Sequence, residues 1–199
     1  RHEDMRICGT FASLIGIEDA LESGRQDHLE MALARARMLF GVMMSLGGIP
    51  LLYLGEELGV LNDYGYKDRP DQREDSRWVH RVPMDWRSAT GGSGQNQIGA
   101  RFYEILCTLI KQRKNCPAFS GTQLSLLNTD DEHLLAFRRP HDKTPVTVLA
   151  NFSETPRPLQ PFFRNFADSQ KLKDILSPVE LSSSQLLSPY GLHWLVAVP

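Results

Sequence analysis

The sequence predicts an α/β chain: a helical section carrying one parallel-type strand, then an antiparallel unit of β-sandwich type. Three observations predict it. Between residues 11 and 115, three stretches repeat their apolar residues with helical period. Among them, residues 51–54 form a short apolar run bounded by glycines and Pro50, the pattern of a strand buried on both faces. From about Thr122 the pattern changes to short runs separated by turn residues and prolines. The boundary falls near 119–121, so that 1–120 and 121–199 are expected to be separate domains.

The elements follow in order. Thr10 has the chemistry of an N-cap for a helix over 11–21, with Leu14, Ile17 and Leu21 on one face and Ser23-Gly24 as its stop. A second helix is expected over 27–46, its apolar stripe made by Leu29, Leu33, Ala36, Phe40, Met43 and Met44. The methionines read as core filler, and Gly47-Gly48 ends the helix. After the strand comes a long polar loop with Tyr64, Tyr66, Trp78 and Trp86 interleaved among charges, a composition that argues against disorder. Thr90-Gly91-Gly92-Ser93-Gly94 is a turn. A third helix is expected over 97–115, with Ile98, Phe102, Ile105, Leu106, Leu109 and Ile110 buried. Its last turn carries Lys111, Arg113 and Lys114, which complement the helix dipole, and Pro117 stops it. Residues 123–128 and 134–139 flank Asp130-Asp131-Glu132-His133, a hairpin signal. Further strands are expected over 146–152 and 192–198.

Bulk properties narrow the function classes. With 41% hydrophobic residues and a formal charge of -2, the chain has no basic excess for nucleic acid and no run long enough to span a membrane. Its three cysteines, Cys8, Cys107 and Cys116, form neither a paired framework nor a metal spacing. They read as reduced thiols, hence a cytoplasmic location. Nothing in the composition asks for a metal or organic cofactor. One difficulty stands out: a parallel strand buried on both faces needs neighbours, and the sequence supplies none. The expectation is that these residues are the last section of a larger parallel α/β fold, and the start at Arg1 without Met fits that.

Specific motifs sharpen this. Gly48-Ile49-Pro50-Leu51-Leu52-Tyr53-Leu54-Gly55-Glu56-Glu57-Leu58-Gly59 resembles the eighth-strand signature of glycoside hydrolase family 13, the α-amylase family. Three stretches resemble the sucrose-acting branch of that family, typified by amylosucrase. They are Asp4-Met5-Arg6-Ile7-Cys8-Gly9-Thr10, Leu61-Asn62-Asp63 and Asp75-Ser76-Arg77-Trp78-Val79-His80-Arg81. The similarity covers most of 4–120 and weakens in the terminal β region. It implies a (β/α)8 TIM barrel followed by a small β-sandwich, with the seventh helix before the signature, the eighth strand at 49–54 and the eighth helix at 97–115. Cys8 stands where close family members often carry Ser, and Val82-Pro83 shifts a proline by one place.

The resemblance also implies a retaining mechanism, in which a carboxylate nucleophile forms a glycosyl-enzyme and a second carboxylic acid protonates the leaving oxygen. In the family those groups follow the fourth and fifth strands, and a third Asp follows the seventh. All would precede Arg1, so no catalytic residue is expected in this sequence and the chain alone is expected to be inactive. His2-Glu3-Asp4 lies too close to Arg6 to be the family's His-Asp pair.

Two substrate-binding residues are expected. By resemblance Arg77 lies at the floor of the pocket for the cleaved glucosyl ring, paired with an acidic residue from early in the barrel. A guanidinium fork suits a carboxylate or vicinal hydroxyls. The alternative is a solvated pair with Asp75. Arg6, by resemblance, faces the leaving or acceptor sugar. Glu56 and Glu57 read as hydrogen-bond acceptors supporting a site, and Trp78 and Trp86 as loop anchors. The expected function is part of a retaining α-glucosyl-transferring or hydrolysing enzyme acting on sucrose. The alternatives are an α-glucosidase or α-amylase-type enzyme on maltose-like glucosides, or a non-catalytic chain that self-associates. The expected partners are sucrose or another α-glucoside, an acceptor sugar, and the rest of the barrel or a second copy; no nucleic acid and no membrane.

Overall fold

The computed structural model describes residues 7–85, 96–167 and 171–198. By contacts the chain divides into two compact units: Arg1–Leu33 with Leu52–Glu104, and Ala34–Leu51 with Ile105–Pro199.

The first unit is built from short helices and turns. Thr10 caps α1 (Phe11–Leu14), its Oγ1 accepting from the Ser13 amide at 3.3 Å. The single helix expected over 11–21 is interrupted, because Gly16 takes a left-handed φ of 97° that only glycine adopts cheaply. The chain resumes as α2 (Ile17–Ser23) and ends at Gly24, φ 65°. The break rotates the buried face: Ala12, Ile15, Ile17 and Ala20 point inward, while Leu14 and Leu21 lie on the surface. The first part of α3 (Gln26–Ser45) buries Ala32 and Leu33 here. The described part of the long loop folds into three 3-10 segments, Glu56–Leu58, Tyr64–Asp68 and Ser76–His80. The first part of α4 (Asn96–Asn115) brings in Phe102, fully buried and edge-on to Phe11 at 6.4 Å between ring centroids. Glu30 of α3 receives both arms of Arg101 of α4, each at 2.6 Å.

The second unit is a layered β structure. Among the described residues there are eight strands: β1 (Ser125–Leu126), β2 (Leu134–Arg139), β3 (Val146–Asn151), β4 (Arg157–Pro158), β5 (Lys171–Asp174), β6 (Glu180–Leu181), β7 (Leu186–Leu187) and β8 (Leu192–Val198). Six form one antiparallel sheet in the order β1-β2-β3-β8-β5-β6, and β4 pairs with β7 in a separate ribbon. The β2–β3 register runs from Leu134 opposite Asn151 to Arg139 opposite Val146. A short helix, α5 (Gln160–Phe163), adds Phe162 to a core with Leu134, Leu149, Leu172, Leu187 and Leu195. Among the remaining buried side chains, Trp194 packs on Phe119 with ring centroids 4.6 Å apart. Residues 34–45 of α3 supply Ala36, Met38, Phe40 and Met44, so two of the methionines are core filler.

Close approach fixes this packing. A Cβ on Gly41, in the body of α3, would fall 1.9 Å from Leu192 Cδ2, so the helix lies against that leucine only because residue 41 has no side chain. Arg113 closes the end of α3 by donating to the carbonyls of Met44, Leu46 and Gly48. Arg139 is fully buried and donates to the carbonyls of Ser45, Ala118 and Gly121, while its Nε has no hydrogen-bond partner. Burial pulls its pKa below the ordinary value. The carboxyl of Asp174, also buried, receives the Ser177 hydroxyl at 2.6 Å and the amides of Leu176 and Trp194, with His193 Nδ1 at 3.0 Å.

One expected element is missing. Residues 49–54 form no strand and have no ladder partner among the described residues. Ile49 is 96% exposed and Leu51 82%. The physical reason is the one that made the sequence difficult: a parallel strand owes its stability to ladder bonds on both edges, and among the described residues no flanking strand makes them.

Candidate functional site

The first unit carries the 61–63 and 75–81 motifs, and their aspartates turn out to be turn-formers. Asp63 precedes the segment Tyr64–Asp68 and accepts from the Gly65 amide at 2.9 Å; it also takes a hydrogen bond from Arg69. Asp75 precedes Ser76–His80 and accepts from the Arg77 amide at 3.0 Å. An aspartate placed two residues before the amide it binds forms the turn by itself. The two turns are joined where the Asp63 amide donates to the Val79 carbonyl at 2.9 Å.

Arg77 stands in the second of these turns. Its Nε lies 2.8 and 3.0 Å from the two oxygens of Asp75, and Nη2 donates to Oδ2 at 2.7 Å. The Arg77 side chain is half exposed, and these hydrogen bonds hold the Asp75 carboxyl at about 2. Arg6, the second expected sugar contact, lies outside the described residues, as do Trp86 and the turn at 90–94. Trp78 carries Arg81 over its ring at 5.3 Å, which fits its reading as a loop anchor.

A cavity of about 190 Å³ opens in the same unit. Its walls are Phe11, Leu54, Val60, Val82 and Met84, with Gly9, Thr10, Tyr53, Gly55, Glu56 and His80 completing the lining. Glu56 and His80 bring acid–base groups to this lining. Glu56 accepts from the Tyr53 amide at 3.1 Å, and burial, with the nearby Glu57 charge adding, raises its carboxyl above the ordinary value. His80 presents an Nδ1 that is buried and has no hydrogen-bond partner. A polar atom left so costs about 1–3 kcal/mol. Arg77 does not line this cavity.

Glu57 accepts from the Gly55 amide at 2.9 Å, so both glutamates of the signature order the turn that follows it. Sequence reasoning names His80 and Val82 within motifs but gives no site role to them or to Met84. Their signal is position, one turn beyond Arg77, and only long-range folding discloses that it leads into a cavity. Cys8 Sγ lies 3.8 Å from Ser76 Oγ, and all three cysteines are free. Among the described residues no group of His, Cys, Asp or Glu side chains is placed to hold a metal ion, and no helix is long and apolar enough to cross a membrane.

No family model matches the chain. Solved structures do. The chain is similar to AmyP in complex with maltose, at 16% identity over 82% of this chain and 34% of that one, with a TM-score of 0.63. It is similar to a maltogenic amylase from S. marinus, at 20% identity over 82% and 19% of the two chains, TM-score 0.54. It is also similar to the trehalulose synthase MutB from Pseudomonas mesoacidophila, at 21% identity over 83% and 38%, TM-score 0.59. The chain thus spans between 19% and 38% of the length of these structures. The neighbours are enzymes of the α-amylase family, glycoside hydrolase family 13. The chain has the fold of the C-terminal region of such enzymes, helices of a partial barrel joined to an antiparallel β domain.

Proposed function

We propose that this chain is part of a retaining α-glucosyl-transferring or hydrolysing enzyme acting on sucrose. The observation that carries the reading is the Asp75-Ser76-Arg77-Trp78 turn, in register after the strand signature, on a chain with the amylase-family fold. In the intact protein the nucleophile and the acid come from residues outside this sequence. Arg77 and Arg6 bind the substrate, Arg77 exchanging its local hold on Asp75 for an acidic residue of the barrel. Residues 1–120 belong to the catalytic barrel and 121–199 to the terminal β domain. The enzyme works in the cytoplasm. The deciding experiment is Arg77→Ala in the intact enzyme. Activity on sucrose falls by about 10²-fold or more, the scale of losing a positioning contact, with the melting temperature unchanged; near-normal turnover overturns the reading.

A second reading keeps the mechanism and changes the substrate to a maltose-type glucoside. It is favoured by similarity to AmyP, solved with maltose, and to a maltogenic amylase. Product analysis on sucrose against maltose separates the two.

For the 199-residue chain by itself we propose self-association without catalysis. Ile49, Leu51 and Leu54 are 96%, 82% and 61% exposed in one short unpaired stretch. Sedimentation of the purified chain should give a dimer or larger species, and Leu51→Lys should return it toward monomer.

A further inference from the structure

Asn62 has no role in either reading, yet it makes more long-range polar contacts than its neighbours in the motif. Its Oδ1 accepts from the Thr10 amide at 2.8 Å, and its own amide donates to Ser13 Oγ at 3.0 Å. Its Nδ2 donates to Tyr64 OH at 3.0 Å and to Glu18 Oε2 at 3.3 Å, and the Tyr64 hydroxyl closes the ring by donating to Glu18 at 3.0 Å. Every hydrogen-bonding group of a carboxamide is therefore used. These bonds tie two stretches of chain some fifty residues apart, as the 52-residue separation from Thr10 records. On the far side, the next residue, Asp63, donates its amide to Val79, inside the turn that carries Arg77. Thr10 in turn caps α1 and lines the cavity.

We propose that Asn62 is a positioning residue, whose side-chain amide fixes the register between the segment entering α1 and the turn bearing Arg77. Alanine cannot replace it, since Thr10 N would lose its partner and Glu18 one of its two donors. Aspartate keeps the acceptor for Thr10 but cannot donate to Glu18. The effect on catalysis rests on the reading above, in which Arg77 meets the sugar; the register itself does not.

Two measurements on the full chain separate these. Amide hydrogen exchange should be about tenfold faster at Thr10 in Asn62→Ala, the loss of one net hydrogen bond, with faster exchange across 76–81 as well. Asn62→Asp should keep Thr10 protected. Unchanged exchange at both places in Asn62→Ala overturns the proposal. Should the alanine variant fail to fold, Asn62→Ser, whose shorter side chain does not reach Thr10 N, decides by the same readout: faster exchange at Thr10 and across 76–81 upholds it, and unchanged exchange overturns it. In the intact enzyme, kcat/KM for the α-glucoside falls about tenfold in Asn62→Ala and recovers in Asn62→Asp. An active wild type with a fully active Asn62→Ala removes the positioning role. A wild type inactive on every α-glucoside removes the substrate reading and leaves the exchange result standing.

Discussion

The two units are held together by different physics. In the β unit, buried leucines, Phe162 and Trp194 fill the space around an antiparallel sheet, and removal of apolar surface from water carries the stability. In the motif-bearing unit, side chains that bind backbone amides set the local structure: Asp63 and Asp75 start 3-10 turns, Thr10 caps α1, and Asn62 holds the Thr10 amide. A net hydrogen bond is worth about 0.5–1.5 kcal/mol, less than one buried leucine. The difference teaches where each unit is fragile. The sheet fails by cavity formation, whereas the turns shift when a single acceptor is lost.

Trp194→Ala is the strongest way to break that contrast. It empties a fully buried site beside Phe119 and should cost about 3–5 kcal/mol in a denaturant titration. A loss below that of a single hydrogen bond would mean that burial does not dominate the sheet.

Asp174→Asn comes next, a polar change inside the apolar unit. Asparagine keeps the acceptor for the Leu176 and Trp194 amides but sets an NH2 group where Ser177 and His193 approach, for a cost of about 2 kcal/mol. Burial alone would raise the Asp174 carboxyl, but the contacts from His193 and Ser177 overcome it and leave the carboxyl below its ordinary value. The charged form is thus favoured in the folded state. Its contribution is present above the ordinary value of 3.8 and is lost as pH falls through the depressed one. Stability measured across pH 2–5 should show this step in the wild type and lack it in the variant.

Asp75→Asn gives the smallest effect. The carboxyl sits at about 2, so its pairing is likewise present above 3.8 and lost on acidification toward 2. The pair is open to solvent and screened, so the melting temperature should barely move at low salt and not at all in molar salt. A large shift would mean that the turn unit depends on this ion pair rather than on its amide caps.

Much of the fold was legible because it follows from local chemistry. Thr10 as a cap, Gly24 as a stop, Gly47-Gly48 after α3 and the strands β2, β3 and β8 lie where residue type and period put them, while β1 keeps only Ser125–Leu126 of the expected 123–128. Gly16 was overridden by the apolar spacing of Leu14, Ile17 and Leu21, of which the break leaves Ile17 buried and turns Leu14 and Leu21 outward. The strand at 49–54 was read from a sound pattern, but a ladder depends on partners the pattern cannot supply. The site was legible in part. Arg77 and its Asp75 alternative were both in view, while the cavity with Glu56 and His80 arises from three separated stretches meeting.

Gly41 carries a consequence for anyone hoping to make this protein hardier. Exchanging a mid-helix glycine for alanine is a common stabilising step, since it narrows the range of unfolded conformations. Here the added methyl would drive Leu192 out of its rotamer, at a place with no exposed surface to receive it. Thermal engineering should leave this glycine alone, and a library randomised at that position should return it almost unaccompanied.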